Sequence, residues 1–570
     1  MTIQSHSWEG LVDGVPSSGD VEGADDRPDR DGTWRIADLV VEHVRLAGTG
    51  HLFAYPGDPV IELLEACQRR DLDVVLARRE ASAAFMAEGQ AMLTGRLGAC
   101  VSTLGPGSSA LVNGVAAATL DRVPMLALSG QIERSREQFF THQVLDHRAL
   151  FTPITKWAGS LEPVSAPTIL RKAIRTAQAE RPGAVHLSCP SDVLTEPGSS
   201  DIRIPPGHPA AGVLDVTLAG EGWAEPAALL ARATRPVILA GVGATRGQAT
   251  GPMIALAELG GIPVVVSGMA KGAFPEGHPY FAGVLDMACN TLLWDFLAGS
   301  DLIVAVGFDA VELIKPWSIA TPVLHVDSVP NTDQIYFAEC EVVGDVALGV
   351  EWLAAAWKGE PRWSETEVAA HRSRLAAAYY EGRVAGRLNP TDVVDVVRAL
   401  TPAETLATCD VGSHKLLVGQ GWQTHEPRTM FMSNGLSSMG FGIPAAIGAA
   451  IAAPGRPVVA IVGDGGFAMS ATELRLAASL GLNLTVVVLV DGSLNRIELK
   501  QAALGYQSTA TRIEYTDVVA LAGSLGCDGA RVDSVTALER CLADAPPTPA
   551  RGRPLVIEAD VDPSQYQAQF

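Results

Sequence analysis

Two aspartates that follow neighbouring strand patterns are the residues best suited to bind a metal ion. Asp464 follows the apolar run 458–462, and Asp491 follows a second β-branched run at 484–490, with a helical pattern between them. A right-handed crossover of this length makes the two strands parallel neighbours about 5 Å apart, so both carboxylates lie at one edge of a sheet. Two such oxygen ligands suit Mg²⁺ or Ca²⁺, and Mg²⁺ normally takes its remaining ligands from water and phosphate.

Glycines surround the first of these aspartates. Gly463, Gly465 and Gly466 flank Asp464, and glycine lets backbone N–H groups approach a phosphate closely. A Gly-Asp-Gly sequence also occurs in ordinary turns, where the aspartate caps the following helix. The second aspartate at the matching strand end, with Ser493 two residues behind it, favours the metal site.

The composition is that of a large globular protein. Its 570 residues are too many for one core and suggest about three or four domains. The net charge of −22 disfavours nucleic acids and anionic membranes as partners, because basic patches bind phosphates. No apolar run of about 18 residues predicts a transmembrane helix. Eight cysteines without CxxC pairs or regular spacing predict buried free thiols in a reducing, cytoplasmic compartment.

Alternating strand and helix patterns follow an acidic N-terminus. Residues 1–33 lack the basic start and apolar core of a signal peptide, and we expect a disordered tail there. Strands that alternate with helices predict α/β domains with doubly wound parallel sheets. The predicted segments are a first domain at 34–200, a Pro/Gly-rich connector at 195–212, a second domain at 213–360, a charged helical linker at 361–390, a third domain at 391–562 and a C-terminal tail at 563–570.

A helix rich in small residues is predicted to begin near Glu80 in the first domain. Its alanines, serine and glycine indicate close packing against another element. An acid in the first turn ordinarily complements the helix dipole, which is the alternative to a chemical role for Glu80. The turn at 105–107, Gly-Pro-Gly, either presents backbone amides to a ligand or is only a turn.

The stretch 431–457 is rich in Gly, Ala and Ser and contains Met439 among small residues. This content indicates a backbone that lies close to a ligand or to a partner subunit. A methionine flanked by small residues can protrude, although a lone methionine is ordinarily core filler.

Taken in order, several stretches resemble thiamine diphosphate (ThDP) enzymes of the acetolactate synthase-like group, over nearly the whole chain after the tail. The resemblance implies three domains, which are pyrimidine-binding, central and diphosphate-binding. It also implies a homodimer or homotetramer with active sites at the subunit interface. The matching stretches are YPGDPVIELLEA (55–66), REASAAFMAEGQAMLTG (79–95), GPGSSALVNGVAAATLDRVPMLALSGQ (105–131), RPGAVHLSCPSDV (181–193), RPVILAGVGA (235–244), GIPVVVSGMAKGAFPEGHP (261–279), DVGSHK (410–415), SNGLSSMGFGIPAAIGA (433–449) and GDGGFAM (463–469).

The resemblance also implies roles for individual residues. Glu80 matches the glutamate that contacts the aminopyrimidine ring, and Met439 matches the bulky residue that holds the cofactor bent. Asp464 and Asp491 match the Mg²⁺ ligands, with Ser493 offering its backbone carbonyl. Further cofactor contacts are expected from Pro56, Gly57, Gly412, Ser413, His414, Asn434, Gly435, Ser437, Gly463, Gly465, Gly466 and Leu494.

The resemblance is partial in the central domain. Anabolic acetolactate synthases bind FAD there, and this chain lacks the arginine that follows the glycine of their pattern at the stretch 304–317. It is closer to the FAD-free catabolic form, so we expect no FAD, although Lys271 argues weakly the other way.

The substrate residues also depart from the pattern. In the loop 138–151, Gln143 matches a glutamine of carboligating relatives. His142 and His147 are candidates for proton transfer, unless they are ordinary loop histidines. Asn495 and Arg496 stand where acetolactate synthases are more apolar. Arg496 would suit a carboxylate, phosphate or sulfonate, unless it simply faces solvent.

The resemblance implies a ThDP- and Mg²⁺-dependent enzyme that decarboxylates a 2-oxo acid and transfers the resulting acyl carbanion to a carbonyl acceptor. Its expected partners are those small molecules. Three alternatives stay open: a simple 2-oxo acid decarboxylase, an acetyltransferase of the sulfoacetaldehyde acetyltransferase type, and a non-catalytic ThDP-fold subunit. Retention of Glu80, Asp464, Asp491 and Met439 argues against the last of these.

Overall fold

A computed structural model describes residues 34–198, 202, 224–546 and 551–569. Within these ranges the strands form three six-stranded sheets in which all neighbouring strands are parallel. Parallel sheets with helices between their strands are the doubly wound α/β class, so the predicted fold class is confirmed. The predicted tail 1–33 and most of the connector 195–212 lie outside the described residues.

The first sheet lies between residues 51 and 190. Its strands are β1 (His51–Tyr55), β2 (Asp73–Leu76), β3 (Gly98–Ser102), β4 (Met125–Gln131), β5 (Trp157–Ser160) and β6 (Ala184–Pro190). Its helices are α1 (Ile36–Leu46), α2 (Ile61–Arg69), α3 (Glu80–Thr94), α4 (Pro106–Leu120), α5 (His147–Phe151), α6 (Ala166–Gln178) and α7 (Ser191–Leu194). The strand order is β2-β1-β3-β4-β6-β5, and β3, β4 and β6 are buried along their whole length.

The second sheet lies between residues 236 and 343. Its strands are β7 (Pro236–Ala240), β8 (Val264–Ser267), β9 (Phe281–Leu285), β10 (Leu302–Val306), β11 (Val323–Asp327) and β12 (Ala338–Val343). The helices around it are α8 (Ala224–Arg232), α9 (Val242–Arg246), α10 (Thr250–Gly260), α11 (Asn290–Ala298) and α12 (Val346–Ala356). The strand order is β12-β11-β10-β7-β8-β9. In the predicted helical linker, α13 (Glu365–Tyr379) begins at a capping box between Ser364 and Glu367.

The third sheet lies between residues 406 and 560. Its strands are β13 (Leu406–Cys409), β14 (Met430–Met432), β15 (Val458–Gly463), β16 (Leu484–Val490), β17 (Asp528–Val532) and β18 (Leu555–Asp560). Its helices are α14 (Pro390–Ala399), α15 (Ser413–Gly421), α16 (Gly442–Ala452), α17 (Asp464–Ser470), α18 (Leu474–Ser479), α19 (Asn495–Ala503), α20 (Val518–Ser524) and α21 (Val535–Asp544). The strand order is β14-β13-β15-β16-β18-β17. The tail forms a short 3₁₀ helix at Pro563–Gln569, in which Gln565 and Tyr566 are buried.

Helices α3 and α16 join the first and third domains at backbone distance. A Cβ added to Gly89 would lie 2.3 Å from the carbonyl oxygen of Ala445, and one added to Gly448 would lie 2.0 Å from that of Met86. The small residues predicted to pack closely in α3 therefore face this second helix. Glu473 adds a polar contact, since its carboxylate accepts hydrogen bonds from the N–H of Arg78 at 3.0 Å, just before α3.

Helices in the described ranges do not have the length and apolar content needed to cross a bilayer. All eight cysteines are free, and five of them are buried. Burial raises the pKa of Cys100 and Cys189 to about 12, so these thiols are protonated at neutral pH and act as small apolar groups.

Candidate active site

The two aspartates meet at the carboxyl edge of the third sheet, the edge at which its parallel strands end. Strands β15 and β16 are parallel neighbours, with Gly463 opposite Leu489, as the crossover pattern predicts. Asp464 begins α17 directly after β15, and Asp491 directly follows β16. The Asp464 carboxylate accepts hydrogen bonds from the N–H of Gly492 at 2.8 Å and of Asp491 at 3.3 Å.

The two acids at this edge provide negative charge that a bound cation could neutralise. Burial raises the pKa of Asp464, and burial together with the negative charge of Asp464 raises the pKa of Asp491 to about 7. Among the described residues neither carboxylate takes part in an ion pair, and no group of three or more His, Cys, Asp or Glu side chains could hold a metal alone. Two carboxylates that form no ion pair fit a hard divalent ion that completes its shell with phosphate and water. Ser493 also lies here, and its N–H donates to Asp491 at 3.0 Å.

His414 supplies an unsatisfied nitrogen beside the same glycines. Its ring is buried, and a Cβ added to Gly412 or Gly463 would lie 2.8 or 3.2 Å from a ring atom. Its Nε2 has no hydrogen-bond partner among the described residues, and burial lowers the pKa of the ring to about 4. A diphosphate beside this nitrogen would favour its protonation, because an adjacent anion stabilises imidazolium. The neighbouring Ser413 hydroxyl donates to Asn495 Oδ1 at 2.8 Å.

Met439 lies over the glycines that follow Asp464. The methyl carbon of Met439 and Cδ2 of Leu494 both lie 3.2 Å from the position of a Cβ added to Gly465. Met439 is half-buried and belongs to residues 433–442, here called the Met439 loop, in which Ser437 has a positive φ of 53°. An apolar side chain at this point fits a role in supporting a cofactor rather than filling the core.

Asp410 holds this loop, and the sequence analysis gave it no role. Its buried carboxylate accepts hydrogen bonds from the N–H of Gly440 at 3.0 Å and of Gly442 at 3.2 Å. Burial raises the pKa of Asp410 to about 6. The available signal was an aspartate directly after a strand, in the same place relative to β13 as Asp464 relative to β15.

Asn434 and Gly435 are anchored from the first domain. Their N–H groups donate to Asp121 at 2.9 and 2.6 Å. The Asn434 amide is buried, with no hydrogen-bond partner for either polar atom among the described residues. It lies against Gly268 of the second domain, where an added Cβ would be 2.6 Å from Nδ2. Its side chain therefore lies at the junction of the three domains.

Glu80 lies at the carboxyl edge of the first sheet. It is the first residue of α3 and is half-buried, and its Oε1 lies 3.3 Å from the position of a Cβ added to Gly107. Pro56 and Gly57 follow β1 at the same edge, and a Cβ on Gly57 would lie 2.3 Å from the hydroxyl oxygen of Thr103. Among the described residues no hydrogen bond or ion pair joins Glu80 to Asp464 or Asp491.

The three polar residues near α5 that are candidates for substrate contact or proton transfer lie in different surroundings. His142 and Gln143 are exposed. Gln143 has a positive φ of 60°, and its carbonyl oxygen lies 2.4 Å from the position of a Cβ added to Gly105, in the turn beside Glu80. His147 is buried instead, and its Nδ1 lies 3.0 Å from the Ser188 hydroxyl. Burial lowers the pKa of His147 to about 4, so this placement does not favour proton transfer.

Asn495 and Arg496 begin α19, beside the third-sheet edge. Both are half-buried, which departs from the solvent-facing alternative for Arg496. Burial lowers the pKa of the Arg496 guanidinium. Burial, and to a smaller extent the Arg496 charge, lowers the pKa of Lys415 to about 8, so the two cations are neighbours.

The carboxyl edge of the second sheet is filled by the chain's own side chains. The buried Glu312 carboxyl accepts hydrogen bonds from the N–H of Val242 at 2.9 Å and of Asp309 at 2.8 Å, and from the Ser267 hydroxyl. Burial raises the pKa of Glu312 to about 8. A Cβ added to Gly241 would lie 2.3 Å from Glu312 Oε1, so the turn before α9 has no free space.

Arginines from the first domain complete this filled edge. Asp309 accepts from the Arg122 guanidinium at 2.8 and 3.0 Å and pairs with Arg181 at 3.1 Å. Lys271, which the sequence analysis weighed as a sign of FAD, is fully buried and donates to Glu276 at 2.7 Å.

Comparison with known proteins agrees with this architecture. Residues 34–150, 224–353 and 410–559 match the N-terminal TPP binding domain, the central domain and the C-terminal TPP binding domain of thiamine pyrophosphate enzymes. A protein named acetolactate synthase from Bacillus subtilis is 30% identical over 541 residues, which cover 93% of each chain. Another of that name from Mycobacterium bovis is 34% identical over 517 residues, which cover 87% of this chain and 83% of the relative.

A probable acetolactate synthase large subunit from Methanocaldococcus jannaschii is 30% identical over 549 residues, which cover 93% of this chain and 92% of the relative. The similarity thus runs through all three sheets, including the edge at which Asp464, Asp491 and Met439 lie. The chain belongs to the family of thiamine diphosphate-dependent enzymes and contains all three of its domains.

Proposed function

We propose that this enzyme uses ThDP and Mg²⁺ to decarboxylate a 2-oxo acid and to transfer the acyl group to a carbonyl acceptor, in an acetolactate synthase-like carboligation. The observation that carries the proposal is the carboxyl edge of the third sheet. Two carboxylates that form no ion pair among the described residues lie there, beside a histidine nitrogen without a hydrogen-bond partner and the half-buried Met439. The relatives named acetolactate synthase support this reaction over others of the family.

The third domain would hold the diphosphate end of the cofactor. Asp464 and Asp491 would bind Mg²⁺ with the backbone carbonyl of Ser493, and His414 would contact the diphosphate beside Gly412, Ser413 and Gly463. The missing side chains of Gly465 and Gly466 let Met439 and Asp410, respectively, lie close to the backbone, and Met439 would support the bent cofactor. When bound, ThDP supplies a carbon nucleophile for the ketone of a 2-oxo acid and an electron sink for the loss of carbon dioxide.

Glu80 would hold a proton opposite a ring nitrogen of the aminopyrimidine. It lies on a different domain from Asp464, and no polar contact joins the two among the described residues. The first-domain edge around Glu80 exposes apolar side chains, with Tyr55 41% and Leu76 48% exposed. We therefore propose a homodimer or homotetramer in which a second copy covers this edge. Each active site would then contain Glu80 of one copy and Asp464 of the other.

Arg496 is the proposed contact for an anionic substrate group. It begins a helix beside the third-sheet edge, and a guanidinium binds a carboxylate through two parallel hydrogen bonds. Asn495, His142 and Gln143 are the further proposed substrate contacts. The same guanidinium suits phosphate, so acyl transfer to phosphate is the second candidate function.

FAD is not part of the proposed enzyme. A dinucleotide phosphate would need free N–H groups in the central-domain turn before α9. The N–H of Val242 in that turn already donates to the Glu312 carboxyl. A second acid, Asp309, forms ion pairs with the nearby Arg122 and Arg181. We therefore propose that this edge does not bind a flavin nucleotide.

The test is incubation with ThDP, Mg²⁺ and a panel of 2-oxo acids, with carbon dioxide and carbon–carbon products followed by mass spectrometry. We expect carbon dioxide release and a larger hydroxyketone product when a ketone or aldehyde acceptor is present, and neither with the Asp464→Ala protein. Release of an aldehyde alone would indicate a simple decarboxylase, and an acyl phosphate in phosphate buffer would indicate the acyltransferase. No carbon dioxide from any 2-oxo acid would overturn the proposal.

A further inference from the structure

Two carboxyl groups are buried together between the first and third domains, away from the metal edge. Glu88 is 0% exposed and lies about two turns after Glu80 on α3, and Asp121 is 2% exposed at the end of α4. The two carboxyl groups are neighbours, close enough for one to donate to the other if it holds a proton. Among the described residues, neither Glu88 oxygen nor Oδ2 of Asp121 receives a hydrogen bond from an N–H or O–H donor.

Such a pair is stable only if it holds one proton. Two ionised carboxylates in contact away from water would repel each other strongly, so one of them stays neutral and donates to the other. Burial, followed by the Asp121 charge, raises the pKa of Glu88 well above its ordinary value.

The surroundings decide which group carries the proton. Asp121 accepts hydrogen bonds from the N–H of Asn434 at 2.9 Å and of Gly435 at 2.6 Å, and it lies near the Lys415 ammonium. These contacts stabilise the ionised form of Asp121. No comparable donor reaches Glu88, so the proton resides on Glu88.

The pair acts on the loop that carries Met439. Asp121 and Lys415 hold the beginning of this loop, since the Lys415 ammonium donates to the carbonyl of Ser433 at 2.7 Å. Asp410 holds its end through the N–H groups of Gly440 and Gly442. Met439 lies between the two anchors, and the first anchor is contributed by a different domain.

We propose that a neutral Glu88 donates a hydrogen bond to Asp121 and that this pair positions the Met439 loop. Glu88 and Asp121 are positioning residues, since neither lies at the metal edge. The inference rests on the proposed role of Met439 beneath the cofactor, but the state of the loop can be measured without cofactor.

Hydrogen exchange of the cofactor-free protein tests the anchor directly. In Glu88→Leu the Asp121 carboxylate loses its only acid partner, and we expect amides of residues 433–442 to exchange roughly tenfold faster. Glu88→Gln keeps a neutral donor of the same length and is expected to exchange like the wild type. Glu473→Gln is the matched control, because it changes another buried carboxylate between the same two domains that does not contact this loop.

Infrared spectroscopy gives a second readout that does not depend on the leucine variant folding. At pH 7, Glu88→Gln should lose one protonated-carboxyl carbonyl band relative to the wild type, while the bands of other buried acids with a raised pKa, such as Glu312, remain. A protonated-carboxyl region unchanged between the wild type and Glu88→Gln, or loop exchange in Glu88→Leu equal to that of the wild type, would overturn the proposal. Equal acceleration in Glu88→Gln and Glu88→Leu would also overturn it, since a neutral donor would then not suffice.

Cofactor titration separates this inference from the proposed function. If the wild type binds ThDP with Mg²⁺, the Leu variant is expected to bind it about tenfold more weakly, and the Gln variant is expected to match the wild type. Equal ThDP affinity of the wild type and Glu88→Leu would contradict the role of Glu88 in positioning the Met439 loop. Failure of the wild type to bind ThDP, with a normal exchange result, would instead count against the proposed function.

Discussion

The carboxyl edges of the second and third sheets are built in the same way, but they differ in whether their polar groups find partners within the chain. In each domain, parallel strands end beside glycine turns that feed helices. At the second-sheet edge, Glu312 accepts from the turn amides and Asp309 pairs with two arginines. At the third-sheet edge, Asp464 and Asp491 form no ion pair among the described residues, and His414 Nε2 has no hydrogen-bond partner there.

The difference shows how one fold separates a structural edge from a binding edge. Every polar group that the chain satisfies itself is closed to a ligand, and every buried group that it leaves unsatisfied carries a free-energy cost that a ligand can offset. The second edge therefore joins domains, and the third edge is prepared for a charged cofactor.

Removal of a metal ligand should have the largest effect. We expect Asp464→Ala to weaken Mg²⁺-dependent ThDP binding by at least about 100-fold, because one of only two carboxylate ligands is lost. Titration calorimetry measures the affinity. Asp533→Ala, an exposed acid on the same domain, is the control and should bind normally. Normal affinity in Asp464→Ala would place the metal elsewhere.

The first-sheet edge allows binding to be separated from chemistry. Glu80→Gln keeps the size of the side chain and removes its ability to exchange a proton, so we expect turnover to fall roughly 10²- to 10⁴-fold. ThDP affinity should stay within a few-fold of the wild type. Steady-state kinetics and calorimetry measure the two quantities, and Glu65→Gln on the exposed side of α2 is the control. Full turnover by Glu80→Gln would refute the role assigned to this carboxylate.

Breaking the filled second edge should affect stability and spare binding. Asp309→Ala leaves Arg122 and Arg181 without their buried partner and should cost about 3 kcal/mol of unfolding free energy. Asp333→Ala removes a more exposed partner of the same Arg181 and should cost less than about 1 kcal/mol. Thermal unfolding gives the stabilities and calorimetry the ThDP affinities. A large loss of ThDP affinity in Asp309→Ala would contradict the division between the two edges.

His414 at the third-sheet edge and Glu312 at the second-sheet edge should respond to pH in opposite directions. Burial lowers the pKa of His414 to about 4, so its contribution to stability is present above about pH 6.5 and is lost as the pH falls. Burial raises the pKa of Glu312 to about 8, so its contribution is present below about pH 4.5 and is lost as the pH rises.

Cofactor-free variants can resolve these opposed slopes. As the pH falls from 6.5 to 5, the unfolding free energy of His414→Asn should rise by about 2 kcal/mol relative to that of the wild type. Over the same fall in pH, that of Glu312→Gln should decrease by a similar amount relative to the wild type. Melting temperatures measured across this range provide the check. Parallel pH curves for the three proteins would show that neither group titrates as its burial requires.

The sequence predicted the elements and much of the third-sheet edge, because those depend on local patterns. The apolar run 484–490 coincides with β16, and the helix predicted near Glu80 begins at that residue. Parallel pairing of β15 and β16 followed from the length of the crossover. Alternation and strand-end position are thus sufficient to bring Asp464 and Asp491 together.

Contacts between distant residues could not be predicted in this way. Asp121 binds the amides of residues 434 and 435, more than 300 positions along the chain, and no local pattern marks it. No local pattern marks Glu312 either, because its partners Val242 and Ser267 come from distant parts of the chain. His147 seemed to lie on a polar loop, and only the packing of α5 against β6 shows that its ring is buried.

The contact of α3 with α16 constrains how molecules reach the reaction centre. Gly89 and Gly448 leave no gap for a side chain between the two backbones. The first and third domains of one chain must therefore move as a single rigid unit, since sliding or hinging would drive one helix into the other. Substrate entry and product release then depend on surface segments such as the exposed 139–146 stretch, and exchanging either glycine for alanine should disturb assembly rather than gating.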